Sequence, residues 1–304
     1  MSFLSKIPAH RKGLIYVAFT AFLWSSSGLF IKILNISAFQ IGFYRSGIAA
    51  LTVLTISLLR KKSFRKSIQF DKITNISAIF YSGILIFFVI ATKMTTAANA
   101  IFLQFTAPIY LLILEPVFLK VKFEKKNLIT ILISICGMIL FFFGKLEVGN
   151  IYGNLIAIAS GICFALFSLL LKKKRTMQSI ESGSLEPESG LSSLILGNAI
   201  IAIICFFIIF PNFSLSHHEA LILIYMGVIQ IGISYAIFNE GIKYVSATES
   251  MIIATMEAIF NPIWVFLGIG ETPSIYAIFG GIIIICAILW RSFSKEQGKA
   301  IIVE

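Results

Sequence analysis

The sequence predicts an all-α membrane protein with ten transmembrane helices. Long apolar stretches fill most of the 304 residues. The mean hydropathy is +0.94, and only 13% of the residues are charged, whereas a soluble domain carries about 25%. A bilayer core about 30 Å thick is crossed by about 20 apolar residues in a helix. The stretches lack the alternation of a membrane barrel, so helix is the structure that satisfies their backbone polar groups.

The predicted spans follow the apolar runs in chain order. The first run begins at Gly13 and is longer than the apolar region of a signal peptide, so we expect it to remain as a helix. The ten spans are residues 13–33, 38–59, 73–93, 97–118, 127–144, 151–171, 191–210, 219–242, 248–268 and 273–292.

The lysines and arginines predict the orientation of the chain. Of 25 such residues, 21 lie in the termini and alternate loops, Lys93 and Lys145 lie in the opposite loops, and Lys32 and Arg45 lie within spans. Positive loops stay in the cytoplasm. We therefore expect a multi-pass protein of a bacterial cytoplasmic (inner) membrane with both termini inside. The net charge of +11 is then explained by the basic cytoplasmic loops, and no nucleic-acid partner is expected.

Residues 172–190 are polar and rich in Ser, Glu and Gly. Such a stretch buries little apolar surface and is predicted to be an unstructured cytoplasmic linker. The cysteines are spaced for neither a metal nor a disulfide, and the histidines lie outside the spans. We therefore expect no metal and no cofactor.

The two halves of the chain resemble each other weakly. The stretch from Gly13 to Lys32 matches the stretch from Gly153 to Lys172, and Lys93–Ala97 resembles Lys243–Ala247. Two apolar chains also match in this way by chance. A duplicated unit of five helices must insert in the opposite orientation, since five is odd. Inverted repeats with a site near the midplane are common among transporters.

These motifs resemble a known family. The chain from Gly13 to Trp290 is similar to two EamA units of the drug/metabolite transporter superfamily, predicted here at 13–144 and 151–292, the second including the linker. The motifs are Trp24-Ser25-Ser26-Ser27, Phe43-Tyr44-Arg45, Lys93 to Ala97 and Thr106-Ala107-Pro108 in the first unit, and Lys243 to Ala247, Glu257 and Gly270-Glu271 in the second. The resemblance implies a transporter of small organic solutes with helices 1, 3, 4, 6, 8 and 9 around a cavity.

Span 9 carries the strongest candidate site residues. Glu257 lies near mid-bilayer, where ionisable residues are usually functional. Asn261 and Trp264 follow on the same helical face. We predict that these residues bind substrate and that Glu257 either carries a coupling proton or holds a cationic amine of the substrate. The alternative is a structural role in helix packing.

Other spans supply further candidates for the substrate site. Trp24 lies mid-span, away from the interface that tryptophan prefers, and Gln104 shares a face with Pro108, which is expected to kink span 4. Each also fits a packing role. The predicted binding residues are Trp24, Gln104, Tyr235, Glu257, Asn261 and Trp264, with Arg45, Pro108, Gln230 and Asn239 as secondary candidates.

The role of Arg45 has two readings. The guanidinium could neutralise an anionic substrate, or it could have a structural role by snorkelling outward or binding a helix carbonyl. The second is favoured, because an arginine at this place in the family motif is common whatever the substrate.

A secondary transporter is the predicted function. The solute would be an amino acid, an S-adenosyl compound or a similar amphipathic molecule, moved by alternating access with proton coupling or exchange, in a monomer or homodimer. The alternatives are a channel or scaffold subunit and an intramembrane enzyme. The sequence lacks the histidine and the second deep carboxylate that such an enzyme would use.

Overall fold

The computed structural model describes residues 8–61, 68–119, 125–140, 148–182, 189–241, 244–245 and 247–300. These residues form helices joined by short turns, and none of the described residues is in a strand. The helices of the first half are α1 (Ala9–Ser25), α2 (Ser27–Ile33), α3 (Ala38–Lys61), α4 (Lys72–Met94), α5 (Ala97–Gln104), α6 (Ala107–Leu119) and α7 (Lys125–Leu140). The second half contains α8 (Val148–Ser182), α9 (Ser189–Ile209), α10 (His217–Ile224), a π-helix (Tyr225–Ile233), α11 (Ser234–Gly241), α12 (Ala247–Ile269) and α13 (Ile275–Ala300).

Length and apolarity identify the helices that can cross a bilayer. Seven helical stretches of the described chain qualify, and three shorter apolar helices accompany them at Leu128–Gly137, Met256–Ile269 and Ile275–Ala287. Large apolar side chains such as Leu59 and Phe207 lie exposed on the outer surface of the bundle. An exposed apolar surface of this kind suits contact with lipid. The chain is therefore a multi-pass integral membrane protein.

The prediction of an unstructured linker at 172–190 is wrong for most of its length. Helix α8 continues to Ser182, and α9 begins at Ser189; residues 183–188 lie outside the described chain. Lys174 fixes the extension, because its Nζ donates to Asp71 Oδ2 at 2.7 Å and to Gln69 Oε1 at 3.2 Å. Extending an existing helix costs less than starting one, and lysine and arginine favour helix.

Two spans of the first half are broken helices. The first breaks at Ser26, where the hydroxyls of Ser25 and Ser26 each donate to a carbonyl three residues earlier at 2.7 Å. The fourth breaks at Phe105 and Thr106, and Pro108 lies in the first turn of the helix that follows. Proline fits a first turn because no backbone donor is needed there. The predicted interruption of span 4 at Pro108 is confirmed.

The π-helix packs closely on α3. A side-chain carbon added at Gly227 would lie 2.6 Å from Ile48, and one added at Gly232 would lie 2.5 Å from Thr52. Only glycine allows two backbones to approach this closely. A π-helix has more residues per turn than an α-helix, so the side chains that follow it point in different directions than they would along a continuous α-helix. π-helical turns occur frequently at functional sites.

The two halves exchange equivalent contacts. Helix α1 packs on α11 and α12, while α8 packs on α4, α5 and α6. A carbon added at Gly13 would lie 2.8 Å from Tyr244, and one added at Gly153 would lie 2.8 Å from Thr95. Gly13 thus packs on the Lys243–Ala247 segment of the second half, and Gly153 packs on the Lys93–Ala97 segment of the first. Helices α3 and α9, and likewise α7 and α13, pair across the halves.

Candidate functional site

The break between α1 and α2 places three consecutive hydroxyls, Ser25, Ser26 and Ser27, inside the bundle. We call these residues the serine hub. Trp264 Nε1 donates to Ser25 Oγ at 2.9 Å, and Asn261 Nδ2 donates to Ser27 Oγ at 3.3 Å. Side chains of the second half thereby bond to the serines at the helix break in the first half.

The middle serine of the hub binds the π-helix. Gln230 Nε2 donates to Ser26 Oγ at 3.0 Å, and the hydroxyls of Ser26 and Tyr225 lie 3.3 Å apart. Gln230, a secondary candidate, therefore joins the same cluster as Asn261 and Trp264. In the sequence the three serines stood out only as part of the motif that begins at Trp24, so their role as acceptors is a finding of the structure.

Aromatic rings form one wall beside the hub. The ring of Trp24 lies 4.7 Å from that of Tyr235, between centroids, and its Nε1 donates to Ser234 Oγ at 2.8 Å. Tyr235 contacts Tyr81 edge to face, with centroids 5.7 Å apart. The predicted residues Trp24 and Tyr235 are thus direct neighbours, and Tyr81 is a member of the cluster that sequence reasoning missed.

Glu257 lies on α12, one turn before Asn261, and its carboxyl is within electrostatic range of Tyr235. Among the described residues it forms no hydrogen bond and no ion pair. Asn261 is fully buried, and its Oδ1 has no hydrogen-bond partner. This face of α12 therefore carries one acidic group and one amide oxygen to which no described residue donates a hydrogen bond.

Gln104 belongs to a neighbouring polar cluster. Its Nε2 donates to Ser160 Oγ at 2.8 Å, and that hydroxyl donates to the carbonyl of Ile84 at 2.9 Å. Helix α5, which Gln104 ends, also packs on α12. Gln104 is bonded to α8, so its amide does not bond to the serine hub.

Arg45 is more buried than the sequence suggested. It is 2% exposed, and its Nη2 donates to the carbonyl of Leu85 at 3.3 Å. The outward snorkelling considered for Arg45 does not occur, because the side chain points between helices. Pro108 starts α6, and the side chain of Asn239 lies outside what the structure describes.

The two grooves found in the described surface lie elsewhere. One, of about 590 Å³, is lined by Tyr16, Phe19, Ile56, Ile233 and Glu240 among others. The second, of about 370 Å³, adjoins it along Ile56 and Ile233. None of the predicted binding residues lines either groove. Of the predicted binding residues, Gln104 and Asn261 are buried, whereas Trp24, Tyr235, Glu257 and Trp264 are partly exposed.

Ion pairs connect the halves at the two ends of the bundle. At the end of α2, Lys32 Nζ lies 2.8 Å from Glu271 Oε2 and donates to the carbonyl of Thr95 at 2.8 Å. Before α4, Asp71 pairs with Lys174 at 2.7 Å. Partial burial of the Asp71 carboxyl acts to raise its pKa, but hydrogen bonds from Lys174 and Thr74 lower the pKa of Asp71 to about 2.

Fold and site define a class of protein: a helical membrane protein with broken helices and a polar centre shared between its two halves. The EamA-like transporter family matches residues 11–143 and again residues 151–293. The chain belongs to this family, whose members are membrane transporters.

Individual relatives are distant. An uncharacterized transporter of Archaeoglobus fulgidus is 24% identical over 285 residues, covering 92% of this chain and 97% of the relative. Solute carrier family 35 member G1 of Mus musculus is 27% identical over 181 residues, covering 55% of this chain and 49% of the mouse protein. A crystal structure of a protein aligns with TM-score 0.64 at 15% identity, covering 92% and 97% of the two chains. That similarity concerns the fold alone.

Proposed function

We propose that this protein is a secondary transporter that moves a small organic solute by alternating access across a cytoplasmic membrane. Ten helices would cross the bilayer, in two inverted units at 13–144 and 151–292. Seven described helical stretches are long and apolar enough to cross a bilayer, and three shorter apolar helices support the remaining crossings. The 21-to-2 division of loop lysines and arginines would place both termini inside. The exchanged contacts of Gly13 and Gly153 are those that an inverted repeat would produce.

The observation that carries the proposal is the polar contact between halves at the serine hub. Ser25, Ser26 and Ser27 accept hydrogen bonds from Trp264, Gln230 and Asn261. Hydrogen bonds between side chains can be exchanged for bonds to a solute when the halves move. A net bond of this kind contributes only about 0.5–1.5 kcal/mol. Opening would therefore cost little once solute or water replaces the lost partners.

Glu257 is the proposed coupling residue. Burying an acidic charge at the bilayer centre costs about 2.5–3.5 kcal/mol. Protonating a glutamate of ordinary acidity at pH 7 costs about 3.7 kcal/mol, since it requires a change of about 2.7 units at 1.36 kcal/mol each. Because the two costs are similar, the carboxyl can change charge as water reaches it from one side and then the other. A proton or a cationic amine of the solute would compete for it.

Transport assays on the purified protein in liposomes test this function. Saturable counterflow of a solute from a metabolite panel supports a transporter, linear flux supports a channel, and no flux supports an enzyme or scaffold. Glu257→Gln keeps the shape and removes the charge. We expect it to abolish proton-driven accumulation while the protein elutes and melts like wild type. Accumulation with unchanged pH dependence in Glu257→Gln would assign coupling to another group.

A further inference from the structure

Arg45 is a buried cation with most of its bonding capacity unused. It is 2% exposed, and its one hydrogen bond among the described residues runs from Nη2 to the carbonyl of Leu85 at 3.3 Å. The Nε atom is buried without a partner. A guanidinium has five N–H donors and stays charged. Burying such a charge is costly unless acceptors surround it. The arrangement therefore lacks an acceptor.

Two further polar atoms accompany Arg45. Among the described residues, the hydroxyl of the fully buried Tyr81 and the Oδ1 atom of Asn198 form no hydrogen bond of good geometry, although that hydroxyl lies close enough to Asn198 and Tyr235 to interact with both. Tyr81 and Tyr235 lie within electrostatic range of Arg45. Among the described residues, Arg45 forms no ion pair with a carboxylate. We call Arg45, Tyr81 and Asn198 the arginine seat.

Close helix contacts hold the seat in place. A carbon added at Gly42 would lie 2.9 Å from Cys205 Sγ, one added at Gly197 would lie 2.7 Å from the Tyr81 ring, and one added at Gly227 would lie 2.9 Å from the Arg45 carbonyl. At these contacts helices α3, α4 and α9 and the π-helix pack without space for an extra carbon atom, so a solute reaches the seat only when the halves move apart. A fixed guanidinium and hydroxyl are positioned for a ligand before it arrives, which lowers the entropy cost of binding.

We propose that the arginine seat binds the carboxylate of the transported solute. The planar guanidinium presents parallel N–H groups that match two carboxylate oxygens, and the Tyr81 hydroxyl supplies one more donor. Tyr235 lies within electrostatic range of both Arg45, on α3, and Glu257, on α12. This inference rests on the proposed transport function. It specifies the solute as a zwitterion whose carboxylate faces Arg45 and whose ammonium faces Glu257.

Matched ligands test the seat. The probes are L-phenylalanine, its methyl ester and 2-phenylethylamine, with the corresponding methionine series, measured by thermal shift and by counterflow in liposomes. In wild type we expect each acid to bind at least about tenfold more tightly than its ester or amine. Arg45→Gln should reduce that preference to about one. The proposal fails if neither acid binds wild type, or if the acid preference is the same in Arg45→Gln.

Tyr81→Phe is the variant that does not depend on the folding of an arginine mutant. Its hydroxyl forms no hydrogen bond of good geometry among the described residues, so Tyr81→Phe should melt within a few degrees of wild type, while the acid preference falls about three- to tenfold. An unchanged preference in Tyr81→Phe removes that residue from the seat and overturns the proposal as stated. Chloride that competes with the acids as strongly as acetate does would identify a halide site and also overturn it.

The outcomes separate this inference from the proposed function. Saturable flux of esters and amines equal to that of the acids, in wild type, would leave the transporter intact and reject the seat. No saturable flux of any solute in a wider metabolite panel would reject the transport function itself.

Discussion

The packing of α2 on α12 gives the sharpest stability prediction. A side-chain carbon added at Gly28 would lie 2.2 Å from Asn261 Oδ1 and 3.0 Å from its Cγ. Asn261 is fully buried and bonds to Ser27 at 3.3 Å, so its amide has little room to rotate away. Overpacking of this kind costs about 1–3 kcal/mol. Losing the hydrogen bond to Ser27 adds about 0.5–1.5 kcal/mol, and the sum for Gly28→Ala is about 1.5–4.5 kcal/mol.

Gly47 provides a matched control. It lies within α3, and a carbon added there would meet only Ala202 at 3.8 Å, an ordinary contact. Alanine favours helix over glycine by no more than about 1 kcal/mol, so Gly47→Ala should be neutral or slightly stabilising. Thermal melting of detergent-purified variants, followed by size-exclusion chromatography, measures both. Gly28→Ala should melt several degrees below wild type.

A second variant distinguishes a local clash from general damage. Asn261→Ala removes the amide that Gly28→Ala meets, so the two substitutions together should cost less than the sum of their separate costs, as neighbours that couple do. The reasoning is refuted if Gly28→Ala melts as high as Gly47→Ala. Purely additive effects of Gly28→Ala and Asn261→Ala would also refute it.

The remaining predictions concern the ends of the bundle. Asp71→Asn should destabilise the protein at neutral pH, by no more than about 1 kcal/mol because the pair is partly exposed; since the pKa of Asp71 is lowered to about 2, its contribution is present above about pH 4 and disappears as the pH falls through about 2. The melting temperatures of wild type and Asp71→Asn should therefore converge as the pH falls below 4, with Lys174 unchanged in both proteins. Glu271→Gln should loosen the contact with Lys32 and increase labelling of nearby engineered cysteines by thiol reagents. A cysteine at Ser184 should resist an impermeant reagent in intact cells, because the proposed topology places it inside.

Each of these has an opposing result. A constant gap between wild type and Asp71→Asn from pH 7 to pH 2 would mean that the carboxylate charge contributes nothing to the difference. For the other end of the bundle, labelling in Glu271→Gln that equals wild type would assign the closure to contacts other than the pair with Lys32. Efficient labelling at Ser184 would reverse the orientation of the whole chain.

The sequence predicted some features of the site better than others. Pro108 predicted an interruption because proline lacks a donor and clashes within a helix, and the structure breaks at Phe105 and Thr106. Residues 172–182 were predicted to be unstructured on composition alone, yet they are helical. Composition does not report a partner such as Asp71, 103 positions away from Lys174.

The sequence alone determined the class of this protein and the location of its helices, because crossing a bilayer requires about 20 apolar residues for each helix. It did not determine which face of each helix turns inward, because apolar residues surround these helices on all sides and leave little periodic signal. Only the tertiary structure decided that Trp264, Gln230 and Asn261 bond to consecutive serines. It also decided that Arg45 is enclosed beside Tyr81. Both results depend on how far each helix is rotated about its own axis. Close contacts at glycines and the wider turns of the π-helix fix those rotations.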